Sequence, residues 1–187
     1  MRMRPLGRRS FALLLVGSIL SGVQTTLAGQ VSREYELKAA YLYNFVKFVE
    51  WPPDALPESS STIQICVLGE DPFGSNLAAI SDKIAGGRKL TIRRVARPEG
   101  MPACNVLFIS ASERKRIREV VSALGNSSVL TVGDMDSFAE QGGMINFFNE
   151  RNHVRFEINV AAADRARLKL DSRLLNLARV IRSAASL

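Results

Sequence analysis

His153 is the only histidine of this 187-residue chain, so any imidazole general base would have to be this residue. It opens a run of alternating polarity, His153 to Asn159, and no serine or cysteine stands near it in a pattern that marks an activated nucleophile. With one histidine and two cysteines, Cys66 and Cys104, the close His/Cys cluster that zinc requires cannot be built. Gly69 and Gly74 have the spacing that opens a phosphate loop. Ser75-Asn76 stands where Lys-Ser/Thr is needed, so the glycines read as turn geometry. Asp134 and Asp136 follow an apolar run and could bind a divalent cation at a strand end. No third ligand is evident, and solvated loop and cap residues are the better reading. No catalytic residue, metal or other cofactor is expected, which turns attention to binding surfaces.

The elements that would position such a surface begin after a leader. Arg2, Arg4, Arg8 and Arg9 precede an apolar run from Phe11 to Leu20, too short for a permanent membrane helix. Thr26-Leu27-Ala28 is an acceptable cleavage site, so residues 1–28 read as a signal peptide cut near Ala28 and 29–187 as one domain. Arg8-Arg9-Ser10-Phe11 leaves general or twin-arginine export open. The expected product has no membrane span of its own and is periplasmic or secreted. Removing the leader's four arginines leaves 21 basic against 18 acidic residues, so the net charge falls from +7 to +3. With no basic run interleaved by aromatics, nucleic-acid binding is not expected. In an oxidising compartment Cys66 and Cys104 read as a disulfide, with two buried free thiols as the alternative.

Glu36 to Trp51 reads as an amphipathic helix stopped by Pro52, with Leu37, Ala40, Tyr41, Asn44, Phe45 and Phe48 on its apolar face. Trp51 at the helix exit is either a core plug or a recognition anchor. Strands are expected over 62–68, 89–95, 105–110 and 128–132. Ser75 or Asn76 is expected to cap a short helix to about Ile80, and Ser112 a helix over 113–124. This alternation implies an α/β domain with a mainly parallel sheet and helices on both faces. Residues 144–148 and 153–159 then form a C-terminal antiparallel hairpin, with Val154, Phe156 and Ile158 on one side and His153, Arg155, Glu157 and Asn159 on the other. Asn159 can cap the helix that follows, and Ser172 to Ile181 reads as a last amphipathic helix. The candidate contact surface joins Trp51 to Arg155, Glu157 and Asn159. For the charged pair a plain cross-strand contact is the competing reading. Gly142-Gly143 reads as the turn into a strand, with close approach to a partner as the minor option.

The order of short motifs resembles the YfiR family of small periplasmic proteins. The matching pieces include Glu36–Pro52, Ile65–Gly69, Asp71–Gly74, Cys104–Ser110, Val129–Val132, Gly142–Ile145, Val154–Asn159 and Leu174–Ala178. The resemblance implies an α/β fold and a role restraining an inner-membrane diguanylate cyclase through its periplasmic sensor part. An outer-membrane lipoprotein would act as antagonist. It also implies homodimers and disulfides: Cys66 and Cys104 match one family bridge, and a second has no counterpart here. A sensor of a small aromatic or amino-acid ligand, bound near Trp51, is the alternative function.

Overall fold

The computed structural model describes residues 21–96, 101 and 104–181, with side chains from Gly29 onward. The first twenty residues of the expected leader lie outside them; Ser21 to Ala28 have helical backbone. The strands are β1 (Val49–Glu50), β2 (Thr62–Leu68), β3 (Ile84–Ala85), β4 (Arg88–Val95), β5 (Val106–Ile109), β6 (Leu130–Gly133), β7 (Ile145–Glu150), β8 (His153–Asn159), β9 (Lys169–Leu170) and β10 (Arg179–Ile181). The α-helices are α1 (Ser21–Phe48), α2 (Ile117–Leu124), α3 (Val160–Arg165) and α4 (Ser172–Leu175).

Eight strands form one sheet in the order β10-β8-β7-β6-β5-β2-β4-β3. Strands β4, β2, β5, β6 and β7 run parallel, β8 returns antiparallel to β7, and β10 lies parallel to β8. The short β3 pairs antiparallel with β4. A separate ribbon pairs β1 with β9, Val49 opposite Leu170. This is the expected mainly parallel α/β domain with a C-terminal antiparallel hairpin.

The central strands are buried on both faces, which is why their sequences read as unbroken apolar runs. On β5, Val106 and Phe108 join the cluster under α1, while Leu107 and Ile109 join the cluster under α2. Helix α1 contributes Ala39, Leu42, Phe45 and Val46 to the first cluster, and Val49 of β1 follows them. The helix is thus rotated from its expected setting: Leu37 is 45% exposed, and Ala40 also faces outward. Nine of the twelve residues from Leu37 to Phe48 are apolar or aromatic, so periodicity alone could not choose the face. Phe45 anchors an aromatic group, 5.1 Å from Phe156 and 5.7 Å from Phe147 between centroids.

Trp51 is 7% exposed and belongs to the same cluster. Its indole fills the core beyond the helix exit and offers no surface to a partner. Asn159 is fully buried: its Oδ1 accepts from Ala162 N, capping α3, and its Nδ2 donates to the Ala139 carbonyl. The expected outward row therefore ends at Glu157, because the cap turns the last side chain inward.

Three helices also differ from expectation. The segment after Asp71 is a 3-10 turn, Gly74–Leu77, with no side-chain cap; Asp71 Oδ1 instead accepts from Phe73 N at 2.8 Å. Residues Ala111–Arg116 are a 3-10 turn capped by Ser110, and α2 begins only at Ile117. Ser112 Oγ accepts from Glu70 N, holding the turn after β2. The last expected helix stops at Leu175, and Arg179–Ile181 pairs instead with the open edge of β8. Unpaired backbone groups on that edge favour a strand over continued helix. Gly133 and Gly143 admit Phe138: a Cβ on Gly143 would lie 2.1 Å from that ring. The close approach at Gly143 is therefore internal.

Cys66 and Cys104 form a disulfide with Cα atoms 5.9 Å apart, buried in the cluster under α2. The bridge spans 38 residues, a loop worth roughly 4 kcal/mol in the chain-entropy account. Replacing both cysteines by serine should lower the unfolding free energy by about that amount under oxidising conditions. Denaturant melts of the two proteins measure it, and equal midpoints would deny the bridge its structural weight.

Candidate interaction face

Strands β7 and β8 are joined by Arg151 and Asn152, both at positive φ (49° and 66°), the backbone of a two-residue hairpin loop. The register sets Asn146 opposite Glu157, Phe148 opposite Arg155 and Glu150 opposite His153, with Arg179 of β10 beside Glu157. Paired residues point to one side of a sheet. These side chains therefore share the face turned away from α1. The buried cluster under α2 holds no residue of β7, β8 or β10, which leaves this end of the face without an apolar cover.

The polar groups are ordered from the inside outward. Buried Asn146 accepts from Met135 N and donates to Glu157 Oε1 at 3.1 Å. Arg179 reaches Glu150 Oε1 at 3.3 Å and Glu157 Oε2 at 3.8 Å, and its guanidinium lies 4.1 Å from the Phe148 ring centroid. Arg155 is exposed and has no ion pair or hydrogen bond among the described residues. It lines a shallow groove of about 270 Å³ with Phe148, Arg179 and Leu177, which is 68% exposed. An unpaired arginine beside exposed apolar side chains is the composition from which interface anchors are drawn.

Of the four expected contact residues, Arg155 and Glu157 lie on this face, while Trp51 and Asn159 do not. Phe148, Leu177 and Arg179 were missed because the unexpected strand β10 brings them together. Exposed His153 begins β8 at the hairpin end. Asp134 and Asp136 diverge: Asp136 meets Arg114 on the surface, and Asp134 turns inward. Among the described residues no group of three His, Cys, Asp or Glu side chains could hold a metal ion, and no helix is long and apolar enough to cross a membrane.

A second polar cluster, also missed, locks α1 to the end of β6. Lys38, with a side chain 6% exposed, meets Asp134 Oδ2 at 3.1 Å and Glu34 Oε1 at 2.5 Å. Tyr35 donates to the same Asp134 oxygen at 2.6 Å, and Lys38 Nζ lies 4.4 Å from the Tyr35 ring centroid. Asp134 Oδ1 is buried without a hydrogen-bond partner. Burial, then the bond and charge of Asp134, push the Tyr35 phenol well above its ordinary value of 10.0.

The α/β scaffold thus buries the Lys38–Asp134 ion pair and exposes an Arg-bearing sheet face. The chain belongs to the YfiR/HmsC-like family, whose profile matches residues 35–179. That family is one of regulatory domains. Among solved structures, the chain is similar to the crystal structure of a conserved domain protein from Vibrio cholerae. The TM-score is 0.45 and the identity 12%, over 68% of this chain and 56% of that one.

Removing Lys38 would strand Asp134, and losing one partner of a buried pair costs about 3–5 kcal/mol. Lys38→Met should show that loss in denaturant melts, and adding Asp134→Asn should recover much of it. A single-variant cost under 1 kcal/mol would contradict the lock. The raised phenol gives a separate test. The unfolded Tyr35 ionises from about pH 10 while the folded one stays neutral. Its contribution to stability is thus complete below pH 10 and fades above it. The decline above pH 10 should be shallower in Tyr35→Phe, and parallel curves would refute the assignment.

Proposed function

We infer that the protein is a periplasmic regulator that restrains a membrane diguanylate cyclase by binding its periplasmic sensor part, so lowering cyclic di-GMP output. Membership of the YfiR/HmsC-like family is the observation that carries this reading. The exposed face of β7, β8 and β10 supports it, with Arg155 and Leu177 as contact residues. On the same reading the chain is exported with cleavage near Ala28, pairs as a homodimer, and is drawn off by an outer-membrane lipoprotein. The small-ligand alternative loses its proposed anchor, since the Trp51 indole is enclosed by the core.

Deleting the gene in a strain that expresses the cognate cyclase should raise cyclic di-GMP, and wild-type protein should restore the low level. Arg155→Glu with Leu177→Asp should fail to restore it while melting within about 0.5 kcal/mol of wild type, as exposed substitutions do. Unchanged cyclic di-GMP on deletion sinks the regulatory reading. Full repression by the folded double variant removes this face from it.

A further inference from the structure

The opposite end of the sheet carries a surface of another character. Strands β3 and β4 form a hairpin turned by Gly86 and Gly87, at φ 56° and 78°. A Cβ on either glycine would meet nothing within 4 Å, so the tip stands free. Residues 83–95 contain Lys83, Arg88, Lys89, Arg93 and Arg94 and no acid. Two of these charges are answered by neighbouring aspartates: Lys89 by Asp82 at 2.9 Å and Arg94 by Asp71 at 2.6 Å. Arg88 donates to the Ser60 and Pro57 carbonyls and has no acidic partner among the described residues. Arg93 is exposed and unpaired among the described residues.

Ile84 sits on this edge, 58% exposed. Its register partner is Lys89, and Arg93 lies on the same face of β4, two steps of the pleat away. The Ile84 carbonyl accepts from the Tyr43 hydroxyl at 3.1 Å. Lys47 and Lys83 lie 5.0 and 5.6 Å from the Tyr43 ring centroid. Cations on an edge strand discourage pairing with another sheet. That role explains the lysines and arginines but not Ile84, because an exposed apolar side chain on an edge invites association.

We propose that this edge docks on an anionic phospholipid surface, with Ile84 entering the headgroup layer while Lys47, Lys83 and Arg93 meet phosphates. Cations beside a bilayer draw it in, an isolated apolar side chain adds a short insertion, and tyrosine favours the interfacial depth. The strand order puts this edge at the far side of the sheet from Arg155, six strand spacings or roughly 29 Å away. A domain seated this way leaves the Arg155 face clear of the lipid. The proposal stands on its own geometry and does not require the cyclase reading.

Cosedimentation of the protein with vesicles tests it. Vesicles of phosphatidylglycerol in phosphatidylcholine should retain the protein, added salt should release it, and pure phosphatidylcholine should not bind. Each neutralised cation should weaken partition about fivefold, so Lys47→Gln with Lys83→Gln should weaken it about 25-fold. Ile84→Ser should also reduce binding while leaving the melting temperature unchanged, and Arg155→Glu should leave binding as in wild type. Equal binding to both vesicle types, or wild-type binding by the folded Lys47/Lys83 and Ile84 variants, would overturn the proposal. Retention on heparin without vesicle binding would overturn it too, assigning the edge to a polyanionic macromolecule.

Discussion

Lys38 sets the constraint on which the rest of the arrangement depends. A lysine buried to this degree is tolerated only when its charge is met at close range. Asp134, at the end of β6, and Glu34, one turn back along α1, are the groups that meet it. One residue along an α-helix turns the side chain by about 100° and shifts it by 1.5 Å. The ion pair therefore admits one rotational setting of α1. That setting sends Leu42, Phe45 and Val46 into the sheet, leaves Leu37 outside, and delivers Trp51 to the core past the helix end.

The strands were legible because their physics is local. Thr62 to Leu68 is a run of β-branched and apolar residues whose bounds survive unchanged in the structure. The alternation from His153 to Asn159 gave the second hairpin strand its faces, and the even cysteine pair gave the bridge. The face of α1 was not legible, since two stripes fit three-and-four spacing equally well and Lys38 counts as polar in any such pattern. The end of the chain misled for another reason. Leu174, Leu175 and Ala178 have helical spacing, but the open edge of β8 recruits Arg179–Ile181, and that demand is visible only once the sheet is built.

The interaction face divides along the same line. Arg155 and Glu157 could be read from strand alternation. Phe148 faces Arg155 across the hairpin, but Arg179 reaches Glu157 by pairing across 22 residues of chain and brings Leu177 with it, which leaves no local trace. Asn159 was read both as a helix cap and as an outward contact. A side chain committed to the backbone of the next helix cannot also face a partner, and the cap prevails. The i,i+4 spacing of Glu34 and Lys38 is by itself that of an ordinary exposed helix pair. Only the partner 96 residues away makes it a buried one.

Helix α1 is the first described element, yet several of its neighbours come late in the chain. Val49 pairs with Leu170, Phe45 packs on Phe147 and Phe156, and Asn149 and Asn152 of the hairpin bond Glu34 and Gln30. A ribosome delivers β2 and Phe73, which can begin to cover this helix, within about 30 residues of Phe45, but Phe147 and Phe156 follow about a hundred residues behind it. Contacts of such long sequence separation close slowly. The aromatic group around Phe45 is therefore completed only when the C-terminal hairpin has been made, and the early half of the sheet must hold the helix until then.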